Sequence, residues 1–283
     1  MLLYGSAILR TVRELISLLC GQSDDVPLDL AALQIASVEY PDLNPAHSLR
    51  TLDGHAAALA ERLGGNTQGT EFVATANEYF FDELGFTGND ADYYNPRNSC
   101  LNQVLETRTG IPITLAVIYM EVARRLGRPV YGIGLPGHFV VRYDDGRFST
   151  YIDVFGRGTL LTTERCRDLA LQASGVDVFQ NPELLHPMAK RQIAVRMLNN
   201  LRNVYFSRRA HQKAVPVLDL LITAAPDSAE EYRQRGLLNA ELKRYGGARQ
   251  DFEAYLRLSP TAQDRAEVER QLVLLRSRLA SLN

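Results

Sequence analysis

Residues 110–116 constrain the fold of this 283-residue chain more than any other segment. A glycine and Pro112 stand directly before an apolar helical pattern, and proline suits the first helical turn because its missing N–H would have no partner there. Two later landmarks, Gly137-His138-Phe139 and Tyr151-Ile152-Asp153, fall in short β-prone runs. This order predicts an α+β core in which a helix start, a histidine and an aspartate come from separate elements.

The composition excludes several classes of function. Because 46% of the residues are hydrophobic, the chain can form a substantial core and is not expected to be disordered. The net charge of -2, from 31 basic and 33 acidic residues, gives no electrostatic basis for a nucleic-acid or anionic-membrane partner. Cys20, Cys100 and Cys166 are odd in number and widely spaced, which predicts no disulfide framework, no metal site and a reducing, cytoplasmic location.

The apolar N-terminus is predicted to be an amphipathic helix over residues 1–20 rather than a membrane span. Its apolar side chains at positions 8, 12, 15 and 19 recur at helical spacing. Charged residues at positions 10, 13 and 14 interrupt the segment before it reaches the roughly 20 apolar residues that a membrane span needs.

Helical patterns over 30–40, 47–63 and 72–84 predict an all-α N-terminal portion. A further helix is expected to begin near residue 101, with Asn98 or Ser99 as its cap, and another to span 113–126. The pattern then becomes β, and its strands are expected at 130–133, 139–143 and 148–154. The last two join through a hairpin turn at Asp144-Asp145-Gly146.

The C-terminal part carries a repeat with the 34-residue period of tetratricopeptide helix pairs. Ala214 and Ala248 are one period apart, as are Pro226 and Pro260. The second unit matches the motif better, through Tyr232, Gly236, Ala248, Phe252 and Pro260. Because about three repeats are usually needed for stability, these helices are expected to pack on the preceding domain or on a cap over 266–282. The predicted domains are 1–182 and 183–283.

The chain resembles the transglutaminase-like superfamily, in which a Gly-x-Cys opens a helix that ends at Leu-Gly-x-Pro. Here Leu126-Gly127-Arg128-Pro129 supplies the helix end, so the resemblance places the expected cysteine at Pro112. Segments 80–89, 95–99, 110–115 and 137–139 together resemble the bacterial SirB-type family. That resemblance implies a papain-like α+β core with N-terminal helices, followed by an all-α tetratricopeptide domain, and implies no particular reaction.

Without a nucleophile at Pro112, the pattern favours a non-catalytic protein that acts as a binding or regulatory module. In a Cys, His and Asp site the imidazole favours the thiolate and the carboxylate orients the imidazole, but proline supplies no reactive group. The candidate binding residues are Pro112, Thr114, Gly137 and His138. A protein or peptide partner is expected, with no cofactor.

The alternative is a cysteine-dependent amide hydrolase or acyl transferase in which Cys100 replaces the missing nucleophile beside His138 and Asp153. Against it, the pattern favours the interpretation of Cys100 as a small buried hydrophobe. His138 could bind a ligand or serve only a structural bond to Asp153, and Asp153 could instead cap the loop near Gly156. A further alternative is that the repeat helices only brace the first domain. The sequence leaves the partner and the oligomeric state open.

Overall fold

The computed structural model describes residues 13–22, 26–66 and 68–280. Its N-terminal portion is helical, as predicted, with α1 (Arg13–Leu19), α2 (Leu28–Ala36), α3 (Pro45–Leu63) and α4 (Gly69–Asn77), the last continued by a π-helical turn over Glu78–Glu83. The predicted N-terminal helix can be followed only from residue 13, since residues 1–12 lie outside the described residues.

A segment with two short paired strands leads to the central helix. Strand β1 (Thr87–Gly88) pairs in parallel with β2 (Thr109–Gly110), and between them lie a 3-10 turn (Pro96–Ser99) and helix α5 (Leu101–Thr107). The predicted cap of α5 is wrong. Cys100 occupies the N-cap position, and its side chain makes no capping hydrogen bond. Asn95 caps the 3-10 turn instead, while Asn98 and Ser99 lie within that turn and are buried.

The central helix α6 (Pro112–Arg125) begins at the predicted proline. It leads into an antiparallel four-stranded sheet in the order β3 (Val130–Ile133), β4 (Val140–Asp144), β5 (Ser149–Asp153) and β6 (Thr159–Leu161). The first three strands and the hairpin turn confirm the prediction. Helix α7 (Thr163–Ser174) and a 3-10 turn (Pro182–Leu185) follow, and an apolar cluster is formed by Ile133, Leu135, Val140, Leu161, Cys166, Ala170, Val178 and Leu185.

The chain divides into two compact units between Met197 and Leu198, later than the predicted boundary after residue 182. The reason lies in the segment that follows the 3-10 turn. Pro187 forms a bridge with Ile133 at the end of β3, and the Met188 N–H donates to the Gly132 carbonyl at 2.9 Å. These backbone contacts attach the segment to the sheet of the first unit.

Helix α8 (Lys190–Ser207) runs across the division, and four further helices follow: α9 (His211–Ala224), α10 (Ala229–Glu241), α11 (Tyr245–Leu258) and α12 (Arg265–Ala280). Helices α9 to α11 lie where the repeat predicted paired helices, and α12 covers the expected cap over 266–282 as far as residue 280. Ala248 and Phe252 are fully buried in an apolar cluster with residues of α12 such as Leu272. Across 13–22, 26–66 and 68–280, no helix is both long enough and apolar enough to cross a bilayer.

Candidate functional site

The structure brings His138 and Asp153 together. Nε2 of His138 lies 3.0 Å from Oδ1 of Asp153, and the two side chains are 14% and 13% exposed. His138 lies in the loop before β4, and Asp153 is the last residue of β5. The antiparallel hairpin of β4 and β5 therefore positions both side chains. The ring of Phe155 packs edge-to-face on the imidazole, with 6.1 Å between the two ring centres. Because the Nε2 contact orients the ring, Nδ1 is left as the nitrogen that can face another group.

Asp153 also organises the turn that follows it. The same Oδ1 accepts the backbone N–H groups of Phe155 at 3.1 Å and Gly156 at 3.2 Å. Burial acts to raise the pKa of the Asp153 carboxyl, but the hydrogen bond and charge of His138 and the two backbone donors outweigh it and lower that pKa. Asp153 is therefore held as a carboxylate that serves both the imidazole and the turn.

The loop before His138 is fixed by two features. Gly137 has a left-handed φ of 74°, and a Cβ added there would lie 2.5 Å from the Cβ of Ala173 at the end of α7, so the position requires glycine. Arg196 of α8 donates through one guanidinium nitrogen to the carbonyl oxygens of Leu135 and His138. The loop is thus held from one side by close packing and from the other by hydrogen bonds.

Sequence reasoning missed the role of Arg196. The Arg196 guanidinium lies 5.4 Å from the centre of the Phe139 ring, and burial lowers its pKa. Nothing in the local pattern separates Arg196 from the exposed arginines. Its partners are backbone carbonyls far away in sequence, which no side-chain motif reveals.

Pro112 occupies the first position of α6 and is buried. The N–H groups of Thr114 and Leu115 both turn back to the Ile111 carbonyl at 3.1 Å, and the Ile111 N–H donates to Asn98 at 3.4 Å. Thr114 is fully buried, and no described residue bonds to its hydroxyl. The first turn of α6 is therefore buried and carries a proline where the resemblance expected a cysteine.

Cys100 is fully buried, and its thiol donates to the Pro96 carbonyl at 3.3 Å. It lies near Tyr40, whose phenol pKa is raised first by burial and then by the Cys100 thiolate that would form beside it. Cys166 is also fully buried. Burial first, and then the nearby charges of Asp153 and Glu164, raise the pKa of its thiol to about 12. Cys20 is exposed.

The tyrosine-bearing loop 90–94 is connected to this site by hydrogen bonds and ring packing. The Asn98 amide accepts from Asn89 at 3.1 Å and donates to the carbonyls of Asp92 and Tyr93 at 2.7 and 3.2 Å. Tyr93 then packs edge-to-face on Phe155 at 6.2 Å. The aromatic contacts therefore continue from His138 through Phe155 to this loop.

Among the described residues, no three His, Cys, Asp or Glu side chains come close enough to hold a metal ion. The described contacts around His138 are its carboxylate partner Asp153 and the neighbouring rings of Phe155 and Tyr93. Such an arrangement can accept or donate hydrogen bonds to a ligand.

Comparisons with known proteins agree with this fold. Residues 46–199 match the transglutaminase-like superfamily, and residues 201–273 match the tetratricopeptide repeat. A UPF0162 protein of Xylella fastidiosa is 37% identical over 262 residues, which cover 91% of this chain and 92% of that protein.

Similarity extends more weakly to other proteins. F-box only protein 21 of Homo sapiens is 29% identical over 228 residues, covering 75% of this chain and 35% of that protein. A crystal structure of menin aligns with 93% of this chain and 73% of its own, with a TM-score of 0.42 and 16% identity.

Proposed function

This chain belongs to the transglutaminase-like superfamily, among bacterial UPF0162 proteins of the SirB type, and we propose that it is a non-catalytic member that acts as a binding or regulatory module. The observation that carries the proposal is Pro112, which stands at the start of α6 where the superfamily resemblance places a cysteine. The N-terminus of a helix can stabilise a thiolate, but Pro112 has no sulfur and cannot form one.

The burial of Cys100 supports this proposal over a relocated nucleophile. Its thiol is fully buried and already donates to the Pro96 carbonyl. A catalytic thiol must reach its base and its substrate, and reactive cysteines lie in electropositive, partly exposed surroundings. Cys100 is fully buried and so lacks the exposure that a reactive cysteine needs.

The C-terminal helices supply the binding role in this proposal. Tetratricopeptide repeats stack helix pairs into surfaces that protein or peptide segments occupy, and residues 201–273 match that repeat. We place the protein in the cytoplasm because none of Cys20, Cys100 and Cys166 forms a disulfide, a state that a reducing compartment maintains.

The absence of chemistry is tested with a glutaminyl peptide in the presence of hydroxylamine. Released ammonia reports both acyl transfer and amide hydrolysis, whereas the hydroxamate reports acyl transfer alone. The full chain is compared with His138→Ala and Asp153→Asn. We expect no turnover above the uncatalysed rate in any of the three proteins. Turnover in the natural chain that both substitutions abolish would overturn the non-catalytic assignment.

The binding role is tested in cells by photo-crosslinking. A benzophenone side chain replaces Glu230, which is exposed on α10, and a matched control replaces the exposed Arg165 on α7. We expect a discrete crosslinked species from position 230 that persists in the His138→Ala background. If position 230 gives no species that the position 165 control lacks, the repeats do not carry a partner.

A further inference from the structure

A polar cavity of about 370 Å³ lies between the start of α3 and helix α5, within the first unit. Neither His138 nor Asp153 lines it, so it is separate from the site described above. Its apolar wall is formed by Leu43 and Leu105. Its polar wall is formed by Asn44, His47, Ser48, Thr51, Asn102 and Glu106. A cavity that combines an apolar wall with a few convergent polar groups has the usual form of a small-molecule site.

Two of the polar residues, Asn102 and Glu106, present oxygen acceptors from α5. They lie one helical turn apart, so their side chains are on the same face of the helix. Within the described residues, Glu106 accepts its hydrogen bond from the neutral amide of Gln103, with 3.3 Å between Nε2 and Oε2. No described arginine or lysine forms an ion pair with Glu106, so its negative charge is available to a ligand.

The amide of Asn102 makes no hydrogen bond within the described residues, and its Oδ1 atom is buried. Buried polar atoms nearly always have a partner, because an unpaired one loses its hydration without compensation. A rotation about the terminal torsion of this side chain breaks no hydrogen bond and turns the acceptor toward the cavity. A ligand that carries a donor can therefore satisfy Asn102.

A third acceptor comes from α3. The hydroxyl of Thr51 donates its proton to the His47 carbonyl at 3.1 Å, so the Thr51 oxygen can only accept a further hydrogen bond. The polar wall thus offers acceptors from Asn102, Glu106 and Thr51, together with one negative charge. No described residue of the lining is a lysine or an arginine. The cavity therefore favours a ligand that is positively charged and rich in donors.

A guanidinium group meets these requirements. It carries several N–H donors in one plane, keeps its charge throughout the physiological pH range and pairs with a carboxylate through two parallel hydrogen bonds. We infer that this cavity binds a compact alkylguanidinium. Its guanidinium lies among Asn102, Glu106 and Thr51, and its alkyl chain packs against Leu43 and Leu105. A free small molecule and an arginine side chain of a polypeptide both offer this chemistry.

The experiment follows the side-chain amide resonance of Asn102 in ¹H–¹⁵N spectra of the full chain, titrated separately with butylguanidinium, pentan-1-ol and pentanoate. We expect butylguanidinium to shift this resonance saturably, and the neutral and anionic probes to bind at least about tenfold more weakly. Absence of a saturable shift with butylguanidinium, or equal affinity for all three probes, would overturn the inference.

A fourth probe, N-acetylarginine amide, identifies the source of the group. Affinity at least equal to that of butylguanidinium indicates an arginine side chain of a polypeptide, whereas loss of binding indicates a free small molecule. Both outcomes support the guanidinium as the recognised group.

A first pair of variants tests the charge. Glu106→Gln removes the carboxylate from the cavity, and Glu71→Gln removes the same charge from an exposed position of α4 outside the lining. We expect Glu106→Gln to weaken butylguanidinium binding at least about fivefold and Glu71→Gln to leave it unchanged.

A second pair tests the acceptor on α3. Thr51→Val removes its hydroxyl, and Thr223→Val on α9 removes a hydroxyl that donates in the same way, to the Asp219 carbonyl at 2.9 Å, outside the lining. We expect Thr51→Val to weaken butylguanidinium roughly threefold and Thr223→Val to have no effect. Equal effects of the two members of either pair would place the ligand elsewhere and overturn the inference. The ¹H–¹⁵N spectrum of each variant confirms that the comparison is made between folded proteins.

Discussion

At the scale of single residues, Asp153 does two tasks with one oxygen. Oδ1 holds the imidazole of His138 and also accepts two backbone N–H groups of the turn at 155–156. The sequence predicted two alternative roles for Asp153, an orienting carboxylate or a loop cap. A single oxygen atom performs both.

The first prediction concerns Asp153→Asn. We expect a loss of about 1–3 kcal/mol in the free energy of unfolding of the first unit at neutral pH, because a charge-assisted hydrogen bond to His138 is weakened. The folded-state pKa of Asp153 is lowered, so its contribution is present above the unfolded pKa and is lost as the pH falls through the folded value.

The difference between the natural chain and Asp153→Asn should therefore shrink below about pH 3.9. Urea unfolding across a pH series measures it. Asp168→Asn, at an exposed ion pair of α7, is the control and should change stability by less than about 0.5 kcal/mol. A gap that stays constant to low pH would contradict the assigned role of the carboxylate.

The second prediction separates backbone strain from steric contact at Gly137. Both Gly137 and Gly146 have left-handed φ angles, 74° and 80°, but only Gly137 has a neighbour in the path of a Cβ. We expect Gly146→Ala to cost about 1 kcal/mol from strain alone, and Gly137→Ala to cost at least about 1 kcal/mol more because Ala173 must move. Equal losses in chemical denaturation would mean that the α7 contact does not constrain the loop.

At the scale of elements, sequence periodicity predicted the longer strands and helices and missed the short elements that have no regular pattern. The strands at 130–133, 140–144 and 149–153 carry β-prone runs and a clear hairpin turn, so they could be identified. By contrast, β1 and β2 are two residues each and pair across about 20 positions of chain, which leaves no local signal. The π-helical turn after α4 has an ordinary helical sequence and was predicted as helix.

The repeat offers a prediction in which two glycines respond with opposite signs. A Cβ at Gly236 in α10 would lie 2.7 Å from the Phe252 ring of α11, whereas Gly246 in α11 has open space. Gly246→Ala should stabilise the second unit by about 0.5–1 kcal/mol through helix propensity. Gly236→Ala should destabilise it by about 1 kcal/mol or more, because the helix pair must separate.

Urea unfolding, monitored by hydrogen exchange in α10 and α11, measures the change in stability in both glycine variants. Stabilisation by both substitutions would show that the helix pair is packed more loosely than the tetratricopeptide motif requires.

At the scale of the whole molecule, the candidate site is assembled from segments far apart in the chain. Pro112, His138 and Asp153 could be selected from the sequence because each belongs to a recognisable motif. Arg196 and Asn98 could not be given their roles, since they act on backbone carbonyls that only the folded chain brings near. Sequence patterns identify reactive side chains more readily than the residues that hold a loop in place.

The central claim, that no activated thiol serves this site, is tested most directly by the alkylation rate of each cysteine against pH. Mass spectrometry resolves the three sites in the natural chain and in His138→Ala, and the exposed Cys20 provides an internal reference.

We expect Cys20 to follow an ordinary thiol pKa of about 8.5. Cys100 should react slowly throughout and identically in both proteins, because it is fully buried. Fast alkylation of Cys100 well below its ordinary pKa, lost in His138→Ala, would contradict the account and establish a relocated nucleophile.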